Sequence, residues 1–382
     1  MTARSDLQWI ELDAAALRHN VKAFRSMLGA STTLLPVVKA NAYGHGMVEI
    51  ARALRGEKLW GLAVAGGGEA VALQQANIQT NILVLSYYTP RDLLRLRFSK
   101  NVAVVVSNVG QLALLRSFAR KRGVRRRVHL KIDTGTSRIG FLPSELTSLV
   151  RALNKLPEGI RIEGVFSHLA EAESARQAFT RFQAAAFTKA CGFLEHALKK
   201  KLIKHIACSA AILMVRSTHG DIARLGIGMY GIWPSRAVER FAARHHPDMR
   251  LRPVLQWKTR LLEVKCVPRG TAIGYGRAFQ AKRRLRYGVV PVGYADGYFR
   301  SLSNKGTVIV RGHLCRVLGR VCMNLMMIDL TNVSSAATGD DVVLIGSQGK
   351  ETVAANVLAE HAGTISYELL SRLSAHIPRY TV

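Results

Sequence analysis

Thr33-Leu-Leu-Pro-Val-Val-Lys39 is a short apolar run closed by a lysine, and Ala40-Asn-Ala-Tyr-Gly-His-Gly46 follows it. Too short for a helix and ended by turn formers, it reads as a buried strand. Seven runs of the same kind follow: LWGLAV (59–64), ILVLS (82–86), VAVVV (102–106), RVHLKID (127–133), IEGVFSH (162–168), IKHIACS (203–209) and ARLGIGMYG (223–231). Amphipathic, helix-like stretches separate them, among them Met47–Leu54, Pro90–Phe98, Gly110–Arg122 and Ala175–Lys200. Apolar strands joined by crossover-length helices make a buried parallel sheet. Eight of them in about 200 residues predict an α/β fold with a closed (β/α)8 TIM-type barrel. Trp9–Asp13 precedes the series and reads as a strand belonging elsewhere.

Beyond residue 250 the period changes. LQWKTRLLEVKCV, GVVPVGYADGY, GTVIVRGHLCRVLGRV, LMMIDLT and DVVLIG are strand-like, and a long helical pattern returns only at Thr352–His361. The expected organisation is residues 1–13 as a strand of the second domain, 14–245 as the barrel and 246–382 as a mostly-β C-terminal domain. His245–Pro253 is the junction.

Composition sets the outer limits. With 382 residues, 48% hydrophobic and 21% charged, the chain can bury a sizeable core, which excludes intrinsic disorder. No stretch approaches the roughly 18 apolar residues of a membrane span, and MTARSDLQW lacks the apolar core of a secretory signal. Five scattered cysteines, none in a CxxC pair, argue for reduced thiols, a cytoplasmic location and no zinc site. The net charge of +30 (55 Lys+Arg, 25 Asp+Glu) is the unusual feature. It gathers at Arg120–Arg127, Lys199–Lys204 and Lys282–Arg286, without aromatic residues interleaved in the first two runs as base stacking requires. These runs read as solvated faces and argue against nucleic acid as a partner.

The residues able to do chemistry lie at strand ends, where barrel enzymes collect them. Lys39 closes the first run; desolvation there favours the neutral amine, the form that condenses with an aldehyde. The fifth run ends in Lys131 and Asp133, with Arg138 in the following DTGTSRIG turn. The sixth ends at His168 and the seventh at Cys208-Ser209, and the eighth carries Arg224 ahead of Gly226-Ile227. Backbone after an eighth strand, with the Ser209 hydroxyl, is a common phosphate cradle. Lysine, cationic rim and cradle together suggest pyridoxal phosphate.

VVKANAYGHG (37–46) resembles the pyridoxal-phosphate signature of alanine racemases, and LKIDTGTSRIGF, GVFSHLA, RLGIGMYGI, GTAIGYGRAF, PVGYADGY, GRVCMN and GTISYELL fit the same family in order. The resemblance covers nearly the whole chain. It implies a barrel followed by a β domain, and interconversion of L- and D-alanine that supplies cell-wall peptidoglycan. By the same resemblance Lys39 is the covalent anchor of pyridoxal 5'-phosphate and one base, while Tyr275 is the opposing base. Arg138 and the Met323 backbone hold the substrate carboxylate, and Lys131 is the position that many members carry as a carbamate. Arg224 meets the pyridine nitrogen and His168 lies beside it. Tyr43, Ser209, Gly226, Ile227 and Tyr367 hold the phosphate. Tyr294, Arg300, Arg320 and Glu173 match positions lining substrate entry. The resemblance also implies a homodimer, with Tyr275 and Met323 reaching the other subunit's site.

The chain departs from the family pattern in places. Thr136-Ser137 replaces the usual Met-Gly before Arg138, Asn324 replaces an aspartate, and Gly66-Gly67-Gly68 is read as a loop. Two further readings stay open: a broader-specificity amino-acid racemase (serine, for example), or a decarboxylase, whose glutamate would stand where this chain has Arg224.

Overall fold

A computed structural model of the chain describes residues 6–122 and 125–382. By contacts it divides into two units. One comprises Arg18–Ala40 and Leu54–Arg252; the other comprises the chain up to Leu17, Asn41–Ala53 and Pro253–Val382.

After an opening strand, β1 (Gln8–Leu12), the first unit is built on eight parallel strands: β2 (Thr33–Pro36), β3 (Leu62–Gly66), β4 (Ile82–Tyr87), β5 (Val102–Val106), β6 (Arg126–Lys131), β7 (Ile160–Phe166), β8 (Ile203–His205) and β9 (Ile222–Leu225). β3 to β8 form one six-stranded sheet in chain order, and β2 pairs with β9. Two seams close the ring. Val37 bridges Ala63, with Val38 N–H donating to the Ala63 carbonyl at 2.8 Å. On the other side Arg224 N–H donates to the Ala207 carbonyl at 3.1 Å. The expected barrel is therefore present, and its strand interiors are dry: all five residues of β5 are buried. Continuous rather than alternating burial follows from helices covering the outer face.

The triple glycine is not a loop, which corrects the sequence reading. Gly66 ends β3, and Gly67–Gln75 is a helix. A Cβ at Gly66 would lie 2.6 Å from the Tyr87 ring, and one at Gly67 would lie 2.7 Å from the Asp92 side chain. The glycines serve close packing of this helix on the neighbouring strand–helix connection, a requirement that one stretch of sequence does not display.

The second unit holds a ten-stranded sheet of β11 (Glu263–Val267), β14 (Leu285–Val290), β17 (Met326–Asp329), β16 (His313–Leu318), β15 (Thr307–Val310), β18 (Asp341–Gln348), β10 (Leu255–Arg260), β1 and β20 (Arg379–Thr381), paired in that order, with β19 (Glu351–Val353) on β18. A separate hairpin, β12 (Ala272–Ile273) and β13 (Phe279–Gln280), brackets Tyr275. β1 runs antiparallel to β10 and parallel to β20. The contact division keeps the N-terminal strand with the β unit, as the expected boundaries at residues 13 and 245 have it, and adds Asn41–Ala53 to that unit. A Cβ on Gly44 would lie 1.9 Å from the Leu370 carbonyl oxygen, and the Arg379 guanidinium donates to the Gly44 carbonyl.

The basic runs are not uniformly solvated. Within Arg120–Arg127, Gly123 and Val124 lie outside the described residues. Arg126 is 3% exposed and donates to the Leu96, Ser99 and Val102 carbonyls. Arg127 pairs with Glu163. In Lys282–Arg286, Arg286 donates to the Val333 and Ala336 carbonyls. Part of the positive charge therefore satisfies buried carbonyls, a role invisible in a string of like charges.

Candidate active site

Lys39 opens a five-residue helical turn, Lys39–Tyr43, placed directly after the Val37 bridge. Ala40, Asn41, Ala42 and Tyr43 all have φ between +52° and +54°, so the turn is left-handed. Such backbone costs roughly 1–2 kcal/mol per residue, and only the asparagine has a local affinity for it. Identifiable contacts hold the turn. Ala40 N–H donates to Glu69 Oε1 at 2.7 Å, Gly46 N–H to the Asn41 carbonyl at 2.9 Å, and Met47 N–H to Asn41 Oδ1 at 2.8 Å. Backbone strain of this size, held in place at a strand end, marks a position fixed for function. Glu69, which the sequence reading missed, also accepts from Ala65 N–H at 2.7 Å. Its only signal was a Glu three residues after a glycine, the spacing of a helix-capping pair.

Burial lowers the Lys39 amine from its ordinary range, and the Arg138 and Arg224 charges lower it further, while Glu69 opposes them. Lys131, at the end of β6 and 4% exposed, is pushed down to about 7, first by burial and then by Arg138 and Arg224. Its ammonium lies 5.4 Å from the Phe166 ring centroid.

Asp133 fixes the turn that carries Arg138. Oδ1 of Asp133 accepts from the amides of Gly135, Thr136 and Ser137 at 2.9, 2.8 and 3.1 Å, and Oδ2 accepts from Arg138 N–H at 2.9 Å. Burial alone would raise this carboxyl; the amides outweigh it and hold the group below the ordinary carboxylate range. The departures from the family turn are accommodated unequally. Thr136 adds a hydroxyl bond to Asp133 at 3.2 Å, whereas Ser137 adopts φ +50°, a conformation suited to the glycine usual there.

Arg224, 4% exposed, is held from several sides. Nη1 donates to His205 Nδ1 at 2.7 Å and to the His205 carbonyl at 3.0 Å. Nη2 donates to the carbonyls of Ser167 at 2.7 Å and Ile206 at 3.0 Å, and lies 3.4 Å from His168 Nδ1. His168 is driven well below its ordinary pKa by burial and then by the Arg224, Arg138, Lys131 and Lys39 charges, so its ring is neutral. Ser209 Oγ accepts from Gly226 N–H at 2.9 Å and Gly228 N–H at 3.4 Å. The barrel unit thus brings together Lys39, Lys131, Arg138, His168, Ser209, Arg224, Gly226 and Ile227. Its cations lower one another's affinity for protons, with Glu69 opposing at Lys39 and Asp133 at Lys131, and a cluster so rich in cations suits an anionic ligand.

The remaining candidates, Glu173 of the barrel unit apart, belong to the β unit. Tyr43 and Tyr367 pack with ring centroids 6.1 Å apart. Tyr275 is 73% exposed between β12 and β13, and Met323 is 56% exposed. The Met323 carbonyl accepts from Ala295 N–H and the Cys322 carbonyl from Tyr294 N–H, both at 3.0 Å, so Tyr294 and Met323 share one loop pair. Gly293 makes this approach feasible, since a Cβ there would lie 2.3 Å from both carbonyl oxygens. Asn324 is exposed in the same turn, the Arg320 guanidinium packs at Gly276, and Glu173 accepts from Ser235 Oγ at 3.1 Å through its carbonyl.

A closed barrel with a desolvated lysine, two arginines and a serine bonded to loop amides at the strand ends has the layout of a barrel enzyme. Comparison with known proteins narrows the class. Residues 12–234 match the family model for the alanine racemase N-terminal domain, and residues 254–381 match the one for the C-terminal domain. An alanine racemase of Halothermothrix orenii is 38% identical over 97% of this chain and 96% of its own length. One from Methanococcus maripaludis is 36% identical over 97% of each. Among solved structures, alanine racemase of Clostridium difficile 630 superposes with TM-score 0.91 at 32% identity, covering 100% of this chain and 97% of that one. The Bacillus anthracis enzyme with bound L-Ala-P superposes with TM-score 0.91 at 30% identity, covering 100% and 96%. The chain belongs to the alanine racemase family, whose members use pyridoxal phosphate.

Proposed function

We propose that the protein interconverts L- and D-alanine with pyridoxal 5'-phosphate, with Lys39 and Tyr275 as the two bases. The carrying observation is the rim itself: a lysine with a depressed pKa beside an arginine that can only donate, with the Ser209 cradle at hand. When bound, the cofactor supplies an aldehyde for the amine and a ring over which negative charge at the substrate Cα spreads. Lys39 would hold the cofactor as its covalent anchor and, as a free amine, would move the Cα proton on one face. Tyr275 serves the other face. Arg138 would fix the substrate carboxylate, and Arg224, which can only donate, would meet the ring nitrogen and leave it without a proton. That weakens charge storage in the ring and limits side reactions. Ser209, the Gly226–Ile227 backbone, Tyr43 and Tyr367 are assigned to the phosphate.

Lys131 is assigned as the carbamylated position. An amine titrating near 7 is nucleophilic toward carbon dioxide at neutral pH, and the carbamate would replace one cation of the crowded rim by an anion. The protein is assigned to the cytoplasm, supplying D-alanine for peptidoglycan. Its working unit is a homodimer in which each site takes Tyr275 from the second copy. The exposure of Tyr275 and Met323 supports that assignment.

The test combines two inactive variants. Lys39→Ala should lose both turnover and the visible absorbance that borohydride abolishes, and Tyr275→Ala should lose turnover alone. After subunit exchange the mixed dimers should regain one intact site each, with activity approaching half of wild type. A mixture that stays inactive despite demonstrated exchange removes the shared-site assignment.

A further inference from the structure

The barrel interior holds a polar chain beyond the groups already assigned. Arg224 Nη1 donates to His205 Nδ1 at 2.7 Å. His205 Nε2 lies 2.9 Å from His129 Nδ1, and His129 Nε2 lies 3.2 Å from Glu163 Oε2. Glu163 in turn accepts Arg127 Nε at 3.0 Å on Oε1 and 2.9 Å on Oε2.

Chemistry gives this chain one direction. A guanidinium has donors only, so His205 Nδ1 must present its lone pair. The His205 proton is then on Nε2 and points at His129 Nδ1, which must also be bare. His129 therefore carries its proton on Nε2 and gives it to a carboxylate that can only accept. Both rings are completely buried, and burial is the main cause that holds them neutral. Against the upward push of burial, the His129 and Arg127 hydrogen bonds bring Glu163 down to about 2, so the terminus is ionised.

The surrounding packing leaves little freedom. Phe166 stacks on His205 at 4.8 Å with 4° between planes, and Trp60 meets His129 edge-on at 5.5 Å. A Cβ on Gly164 would lie 2.4 Å from His129 Nδ1, so the glycine makes room for that ring. The β6–β7 register shifts between Val128 and His129.

We infer that His205, His129 and Glu163 are positioning residues for Arg224, with Glu163 the anionic end of a relay that tempers how strongly the guanidinium donates to the cofactor ring nitrogen. The inference rests on the role proposed for Arg224 above. A carboxylate at the far end draws each proton toward itself and makes each Nδ1 a better acceptor. Hydrogen bonds in series polarise one another in this way. His205 then draws charge from Nη1, and the other guanidinium nitrogens become weaker donors. Neutralising Glu163 should strengthen Arg224 toward the ring and favour transamination over racemisation.

Ring ¹⁵N NMR of the wild-type holoenzyme should show His205 and His129 both protonated at Nε2 and bare at Nδ1, unchanged across roughly pH 6 to 9. A proton on either Nδ1 overturns the relay, and this measurement needs no variant to fold. In Glu163→Gln holoenzyme the His129, His205 and Arg224 Nη resonances should move together. The ratio of pyruvate formed to alanine racemised should rise about 2- to 5-fold with KM unchanged. Glu163→Asp, restoring the charge, should bring the ratio back toward wild type. Arg224 resonances that do not move in Glu163→Gln overturn the inference. Resonances that move while the ratio stays fixed uphold the relay and instead remove the placement of Arg224 on the ring nitrogen.

Discussion

Asp133→Asn probes the device that aims Arg138 without touching the arginine. In the native turn one carboxylate oxygen collects the amides of Gly135, Thr136 and Ser137, and the other collects the amide of Arg138. An asparagine can keep its carbonyl oxygen toward the three amides, but its NH2 group must then face the Arg138 N–H, donor against donor. The change removes one charge-assisted hydrogen bond and weakens three others, a loss of about 2–3 kcal/mol. If the turn relaxes by letting Arg138 swing, that energy appears in substrate binding, and KM for alanine rises roughly 30- to 150-fold. Turnover at saturating substrate should change far less, since Lys39 opens the turn after β2 and Arg224 lies on β9. Steady-state racemisation from both enantiomers, with a thermal melt to verify folding, measures the split.

Stability supplies a second reading of the same variant. The native Asp133 carboxyl is held below its ordinary range, so its contribution is present above the unfolded-state carboxylate pKa and is lost as pH falls through the lower native value. Asp133→Asn should therefore flatten part of the acid limb below about pH 4. An unchanged KM together with an unchanged acid limb would refute the assignment of Asp133 as the group that positions Arg138.

Ser137→Gly should raise stability by about 0.5–1 kcal/mol in denaturant titration, because glycine tolerates φ +50°; a loss would show that the serine side chain is needed. Arg126→Met should cost about 2–4 kcal/mol, since the carbonyls of Leu96, Ser99 and Val102 lose their donor inside the barrel unit, whereas exposed Arg125→Ala should stay within about 0.5 kcal/mol. Equal melts for the two would mean that the basic run is one solvated face after all. Lys131, lowered to about 7, penalises the folded state fully below that pH, and the penalty fades as pH rises toward the unfolded-state value near 10.4. In buffer free of carbon dioxide, Lys131→Met should therefore raise Tm more at pH 6 than at pH 10. The opposite ordering would contradict a depressed amine.

Eight short apolar runs at crossover spacing were enough to read the barrel, because burial on both faces forces continuous Val, Ile and Leu. A lysine or arginine that ends such a run emerges at the rim where barrels collect their chemistry. Lys39, Lys131 and Arg224 were legible on that ground, His168 as the polar end of the sixth run and Arg138 from the turn after the fifth. Other groups were not legible, since their roles depend on partners distant in sequence. Glu69 reaches the Ala40 amide, Arg126 answers carbonyls from another strand connection, and Gly66 and Gly67 matter through the bulk of Tyr87 and Asp92. The left-handed turn at Ala40–Tyr43 is the plainest case. Alanine and tyrosine resist that backbone locally, and only tertiary contacts from the Glu69 carboxylate, the Tyr367 ring and the Arg379 guanidinium make it the native conformation. Sequence by itself determined which strands form and which charged groups end them, because hydrophobic period and residue chemistry are local properties. Tertiary structure alone decided the direction of every proton in the chain from Arg224 to Glu163, because a histidine tautomer is set by the partner that folding places against each ring nitrogen.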